Sequence, residues 1–142
     1  MKTFAVSIAL AMAALTVTPT AHADSIVGNY RMDTTRETGH FWILSLNPCG
    51  LNAPECLNVN AIPQPNGQAA PWKANAHLAN GRYNWSIDDP FGVRCVVQFF
   101  PSHDVYSFDA VTLTGQVVST YDTGCGGAPG GSDTYQFSLV RW

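Results

Sequence analysis

Through most of the chain the apolar residues fall at every second position, the period of a strand with one dry and one wet face. Trp42, Leu44 and Leu46 share a face over residues 40–46, and Leu57, Val59 and Ala61 do so over 56–62. Trp72, Ala74, Ala76 and Leu78 alternate with Lys73, Asn75 and His77. Tyr83, Trp85 and Ile87 alternate with Arg82, Asn84 and Ser86. The same pattern runs through Cys95, Val97 and Phe99 and through Tyr135, Phe137 and Leu139. The strands expected lie near 27–36, 40–46, 56–62, 71–79, 82–87, 93–100, 104–109, 114–121 and 133–141. Beyond Ala23 no stretch keeps a helical period.

Turn chemistry separates these runs. Asn80-Gly81 lies between two alternating segments and predicts a two-residue hairpin turn, because both positions reach φ > 0. Pro63–Gly67, Asp88–Gly92, Pro101–Asp104 and the glycine-rich Gly124–Gly131 read as connecting loops. Short sequential connections favour antiparallel neighbours. The expectation is an all-β, single-domain meander of eight to nine strands, closed into a small barrel that leaves no edge, with a two-sheet sandwich as the runner-up.

The first residues carry a different pattern. Lys2 precedes an apolar run from Phe4 to Val17, Pro19 ends it, and Ala21-His22-Ala23 is a small-residue cleavage site. The run is shorter than the roughly 20 residues of a membrane span. Residues 1–23 therefore read as a signal peptide cut between Ala23 and Asp24, and residues 24–142 as one extracytoplasmic domain. Loss of Lys2 makes the remainder one unit more negative than the −3 of the whole chain. Scattered basic residues on an acidic chain argue against nucleic acid and against anionic membrane surfaces.

Four cysteines follow the leader: Cys49, Cys56, Cys95 and Cys125. An even count in a small exported domain reads as two disulfides, with three pairings possible. The loop between Cys49 and Cys56 has the Gly, Asn and Pro content of a strand connection. It favours Cys49–Cys56 with Cys95–Cys125. The second bridge would close a long loop and stabilise the fold by roughly 3 kcal/mol. There is no Cys-x-x-Cys pair and no zinc-ligand spacing.

Motifs for catalysis are sparse. No Gly-x-Ser-x-Gly elbow and no His-Glu-x-x-His occur. His103-Asp104 falls in an expected turn, where a carboxylate orients an imidazole, and Asp88-Asp89 supplies further acids. Glycoside chemistry would need two carboxyls facing each other across a cleft. The aromatics are the better lead. Trp42, Trp72, Tyr83 and Trp85 lie on the apolar faces of successive strands and would point into a barrel together, filling a core or lining a small-ligand pocket. The braced loop from Cys49 to Cys56 is a second candidate contact, because preorganisation lowers the entropic cost of binding.

Residues 24–142 resemble a group of small exported proteins of mycobacteria and their relatives. The resemblance is carried by Gly28-Asn29-Tyr30, an aromatic second strand running into Cys49-Gly50, and a central Trp-containing hairpin. Tyr106–Asp109 with Thr112–Gly115, and Cys125-Gly126 ahead of Phe137–Leu139, complete it. It implies an exported, disulfide-containing β protein and no particular activity. A weaker resemblance is to lipocalin-like barrels, in which a first-strand Gly-x-Trp is covered by a basic residue of the last strand. Here Tyr30 and Arg141 would take those parts, with Tyr in place of Trp and the other lipocalin signatures missing. The functional expectation is a secreted, monomeric, non-enzymatic protein that binds a small apolar molecule or a protein partner, with no cofactor and no metal. The alternative is a secreted hydrolase using His103 and a nearby carboxylate.

Overall fold

The computed structural model describes residues 26–36, 39–51, 53, 55–64 and 69–142. The expected signal peptide and its cleavage site lie outside them. Eight antiparallel strands follow one another: β1 (Gly28–Thr34), β2 (Phe41–Pro48), β3 (Cys56–Gln64), β4 (Trp72–Ala79), β5 (Arg82–Arg94), β6 (Phe99–Asp109), β7 (Thr114–Thr123) and β8 (Pro129–Arg141). Each pairs with the next, and β8 returns to β1, closing a barrel in plain sequential order. The closed meander is the fold that the spacing of strands and turns predicted, and both favoured disulfides are present, Cys49–Cys56 and Cys95–Cys125.

The Asn80-Gly81 turn is formed as expected. Its φ values are 51° and 75°, and the flanking Ala79 and Arg82 are paired. Alternation places Tyr30, Met32, Trp42, Leu44, Leu46, Val59, Tyr83, Trp85, Phe108 and Leu139 inside, each 5% exposed or less. One end of the barrel is its floor, where the β2–β3, β4–β5 and β6–β7 turns lie. There Ile26 is buried, and Arg141 lies over the Tyr30 ring at 5.6 Å while donating to the Val27 carbonyl at 2.9 Å. The other end is the mouth, where β5 and β6 run on as the tallest hairpin.

Three boundaries at that hairpin differ from expectation. Asp88–Gly92 is not a loop but part of β5, and Pro101–Asp104 lies within β6. The run 93–100, expected as one strand, instead holds the end of β5, the tip at 95–98 and the start of β6, which gives the lower of the eight to nine strands expected. The reason lies in the register. Asp89 pairs with Ser102 and Val93 with Phe100, so Pro90, Phe91 and Gly92 stand opposite Pro101 alone. Both prolines thus sit in a bulge, where a missing N–H costs no ladder bond. Val97, expected inside, is 85% exposed at the tip. The glycine-rich stretch is also shorter as a loop than expected. A 3-10 turn at Cys125–Gly127 gives way to β8 at Pro129.

Candidate functional site

The barrel interior divides into two chemical halves. The lower and middle part is apolar and aromatic. Trp72 sits 6.1 Å from Trp42, 6.1 Å from Trp85 and 5.2 Å from Tyr106, ring centre to ring centre. Trp85 stacks on Tyr106 at 4.8 Å, and Tyr83 on Phe108 at 5.4 Å. The four aromatics singled out from the sequence therefore face inward together and pack on one another and on the rings of β6. Three of their polar atoms, the indole nitrogens of Trp72 and Trp85 and the Tyr83 hydroxyl, are buried without a hydrogen-bond partner. Burial pushes the Tyr83 hydroxyl pKa up, and the charge of Glu55 adds to this.

Above the aromatic layer the same inward positions turn polar. Along β5 and β6 the inward residues change from Trp85 and Tyr106 to Ile87 and Asp104, then to Asp89 and Ser102. Asp104 is fully buried and accepts three hydrogen bonds of 2.6 Å, from Arg36 Nη1, Ser102 Oγ and Ser119 Oγ. Arg36 enters from the segment after β1 and also donates to the Gly92 carbonyl and, at 3.2 Å, to Ser119 Oγ. Burial opposes the Arg36 charge. The Asp104 charge and hydrogen bond outweigh it and hold the guanidinium above its ordinary value. Gly92 is required by this crossing, because a Cβ there would lie 1.7 Å from Ser102 Oγ.

Asp89 is 4% exposed and accepts from the Phe91 amide at 2.9 Å, with Arg94 Nη2 3.8 Å away. Burial raises its carboxyl pKa, and the Phe91 amide and Arg36 only partly offset that. Burial likewise raises the Tyr106 hydroxyl pKa, reinforced by Asp104. A buried ion pair in which each partner also has further hydrogen bonds is the arrangement that meets the cost of taking charge out of water.

On this polar layer rests a cavity of about 560 Å³ at the mouth, lined by side chains that include Arg36, His40, Arg94, Tyr121, Asp133 and Tyr135. Backbone near Gly92, Gly124 and Ala128 completes its wall beside the Cys95–Cys125 bridge. The hydroxyls of Tyr121 and Tyr135 donate to one Asp133 oxygen at 3.1 and 3.4 Å. Arg36 lies 5.1 Å above the Tyr135 ring. The Nδ1 atom of His40 is buried here with no partner. The cavity thus presents both signs of charge, two phenol rings and an imidazole. A second depression, of about 660 Å³, runs along the outer wall of β1, β7 and β8, past Asp33, Thr35, Gln116 and Gln136, and opens broadly to solvent.

His103 and Asp104 are consecutive strand residues, so they point to opposite faces. Asp104 is inside, whereas His103 is half-exposed on the outer wall, its Nδ1 2.8 Å from the exposed Asp88 carboxylate. His77 is exposed on β4. In the other braced loop Leu51 projects fully into solvent. Among the described residues no group of three or more His, Cys, Asp or Glu side chains could hold a metal ion, and no helix is long and apolar enough to cross a membrane.

Arg36, Arg94, Ser102, Ser119 and Asp133 did not stand out from the sequence, and Asp89 did so only as half of an Asp88-Asp89 acid pair whose two members the strand sends to opposite faces. One trace of the polar layer was available: aspartates and a serine at every second position of β5 and β6, continuing the inward rows of Tyr83-x-Trp85 and Tyr106-x-Phe108. Comparison with protein-family models, with curated proteins and with solved structures finds no match to this chain.

Proposed function

We propose that the chain is an exported, non-enzymatic binding protein that holds the polar head of a small amphipathic molecule in the cavity at the barrel mouth. The observation that carries this reading is the contrast inside the barrel. The aromatic interior is occupied by its own side chains, while the mouth keeps a walled space above a buried, fully paired Arg36–Asp104 layer. Small-ligand sites combine a largely preformed hollow with a few fixed polar groups. Here Arg36, Asp133 and the two tyrosines are already held by bonds within the protein. The mixed charge of the lining suits a zwitterionic or neutral head. Two disulfides support an oxidising exterior as the place of action, and a barrel closed by sequential pairing supports a single chain as the working unit.

The hydrolase alternative gains no support from the site. His103 and Asp88 form their pair on an open outer wall, away from the mouth cavity.

Mass spectrometry of the exported protein, native and then denatured, tests the proposal. The denatured mass is expected to begin at Asp24 and to be four hydrogens short. Extra mass in the native spectrum is expected, and Tyr135→Ala with Asp133→Ala should lose it. A bare native protein, together with no binding by a panel of zwitterionic amphiphiles, would overturn the reading. Extra mass kept by the mouth variant would move the ligand down among the tryptophans.

A further inference from the structure

The floor end of the barrel carries a cluster that neither the core nor the mouth uses. Cys49 and Cys56 face each other where β2 passes into β3, and His77 of β4 lies directly opposite Cys56. Directly opposed residues put their side chains on one face, with Cβ atoms about 4.5–5.5 Å apart. Disulfide and imidazole therefore form one row on the outer wall, which Asn84 of β5 continues. Beside it is a hollow of about 390 Å³ lined by Ala53, Glu55, Cys56 and His77. The row is asymmetric. Cys49 is exposed, whereas Cys56 is only 9% exposed.

The backbone holds this loop whether or not the bridge is closed. The β2–β3 ladder runs without a break from Phe41 with Gln64 to Pro48 with Leu57. Beyond it the Cys49 amide donates to the Cys56 carbonyl at 3.2 Å, the Cys56 amide to Ala53 at 3.1 Å and the Leu78 amide to Glu55 at 2.8 Å. The entropic gain from a bridge also grows with the loop it closes, and this one spans 7 residues against 30 for Cys95–Cys125. A reduced Cys49–Cys56 pair thus stays in register, thiol beside thiol, on a closed barrel. Reversible exchange needs that arrangement.

We propose that Cys49–Cys56 is a thiol–disulfide exchange site that oxidises an external dithiol, with Cys49 the sulfur attacked and His77 the proton donor to the departing Cys56. A thiolate of the dithiol attacks Cys49 Sγ. The new sulfur–sulfur bond forms as the Cys49–Cys56 bond breaks, and Cys56 leaves with the electron pair. His77 gives that thiolate a proton and regains one from water. The partner's second thiolate then attacks its own bridged sulfur and releases Cys49, which takes a proton from water. Overall two electrons and two protons leave the dithiol, which becomes a disulfide, and the two cysteines gain them. Such exchange is fast where the attacked sulfur is accessible and the leaving thiolate is stabilised. Exposed Cys49 meets the first condition, and the imidazole opposite Cys56 meets the second. The charged groups around His77 are Glu55 on the loop, Lys73 on its own strand and Arg82 on β5, whose guanidinium is held by Ser107. The site lies at the end of the barrel away from the mouth cavity and stands whether or not that cavity takes a ligand.

Treatment of the whole disulfide-bonded protein with limiting dithiothreitol, followed by alkylation and peptide mass mapping, tests the proposal. Cys49–Cys56 is expected to open before Cys95–Cys125, with circular dichroism unchanged. His77→Gln should slow that opening at least tenfold in mildly acidic buffer and match wild type in alkaline buffer, because an imidazole has a proton to give only in the first. A merely structural change at this exposed position would not follow pH in that way. With glutathione, a monothiol, the mixed disulfide is expected on Cys49. Three results would overturn the proposal. One is Cys49–Cys56 opening no sooner than Cys95–Cys125, or only with loss of the fold. The second is a His77→Gln effect that is absent or independent of pH. The third is a glutathione adduct on Cys56.

Discussion

The floor and the mouth of this barrel are built from the same strands with the same alternation, yet they are closed by different forces. At the floor, short turns and apolar side chains seal the interior, and one cation over one phenol ring holds the last strand to the first. At the mouth, the inward positions are aspartate, serine and arginine, joined by charge-assisted hydrogen bonds 2.6 Å long. The lesson is that a period of two specifies a face and says nothing of the position along it. A strand can be dry at one end and carry a salt bridge at the other without breaking its pattern.

The comparison breaks hardest at Asp104. Replacing it by Ala leaves the Arg36 guanidinium buried without its counter-charge, which costs about 3–5 kcal/mol. Urea denaturation of Asp104→Ala should show that loss. Asp104→Leu combined with Arg36→Met should recover most of it, because an apolar pair of similar volume needs no desolvated charge. A single variant as stable as wild type would mean that the polar layer is not load-sharing with the core. The floor answers more gently. Arg141→Ala removes a cation–π contact and a hydrogen bond at a partly exposed site, expected to cost about 1–2 kcal/mol in the same assay.

The smallest effect sharpens the electrostatic side of the contrast. The carboxyl of Asp89 has a raised pKa in the folded state. The folded chain therefore holds this proton to higher pH than the unfolded chain does, and ionisation removes stability as pH rises through that window. Asp89→Asn keeps an oxygen for the Phe91 amide and has nothing to ionise. Thermal melts should show the variant gaining on wild type as pH rises above the ordinary aspartate range. A gain of the opposite sign would mean that Arg94 more than compensates the buried charge.

Much of this architecture is legible in the chain because its signals are local. Asn80-Gly81 names its own turn, and Leu57-x-Val59-x-Ala61 names its own face. The pairing of Cys49 with Cys56 follows from the loop they enclose. The tall hairpin was misread for an equally physical reason. Asp88-Asp89-Pro90 and Pro101 carry turn chemistry, and only the register between two strands shows that the prolines share a bulge. The polar layer was hidden because its members come from β5, β6, β7 and the segment after β1. Arg36 and Asp104 are 68 residues apart, and nothing local marks either as the other's partner. His103-Asp104 shows the converse, since adjacency in the chain places the two on opposite sides of the wall.

The pairing of β1 with β8 has a consequence in time. Arg31 meets Val140, and Thr34 meets Phe137, so the first strand cannot complete its ladder until β8 has been delivered. Seven strands can zip hairpin by hairpin as the chain emerges, but the eighth pays a loop-closure cost that spans the whole domain. Until then both rims of the growing sheet are open templates for another chain. Without β8 the sheet would keep two unpaired rims, so the pairing of β8 with β1 is what removes both edges at once.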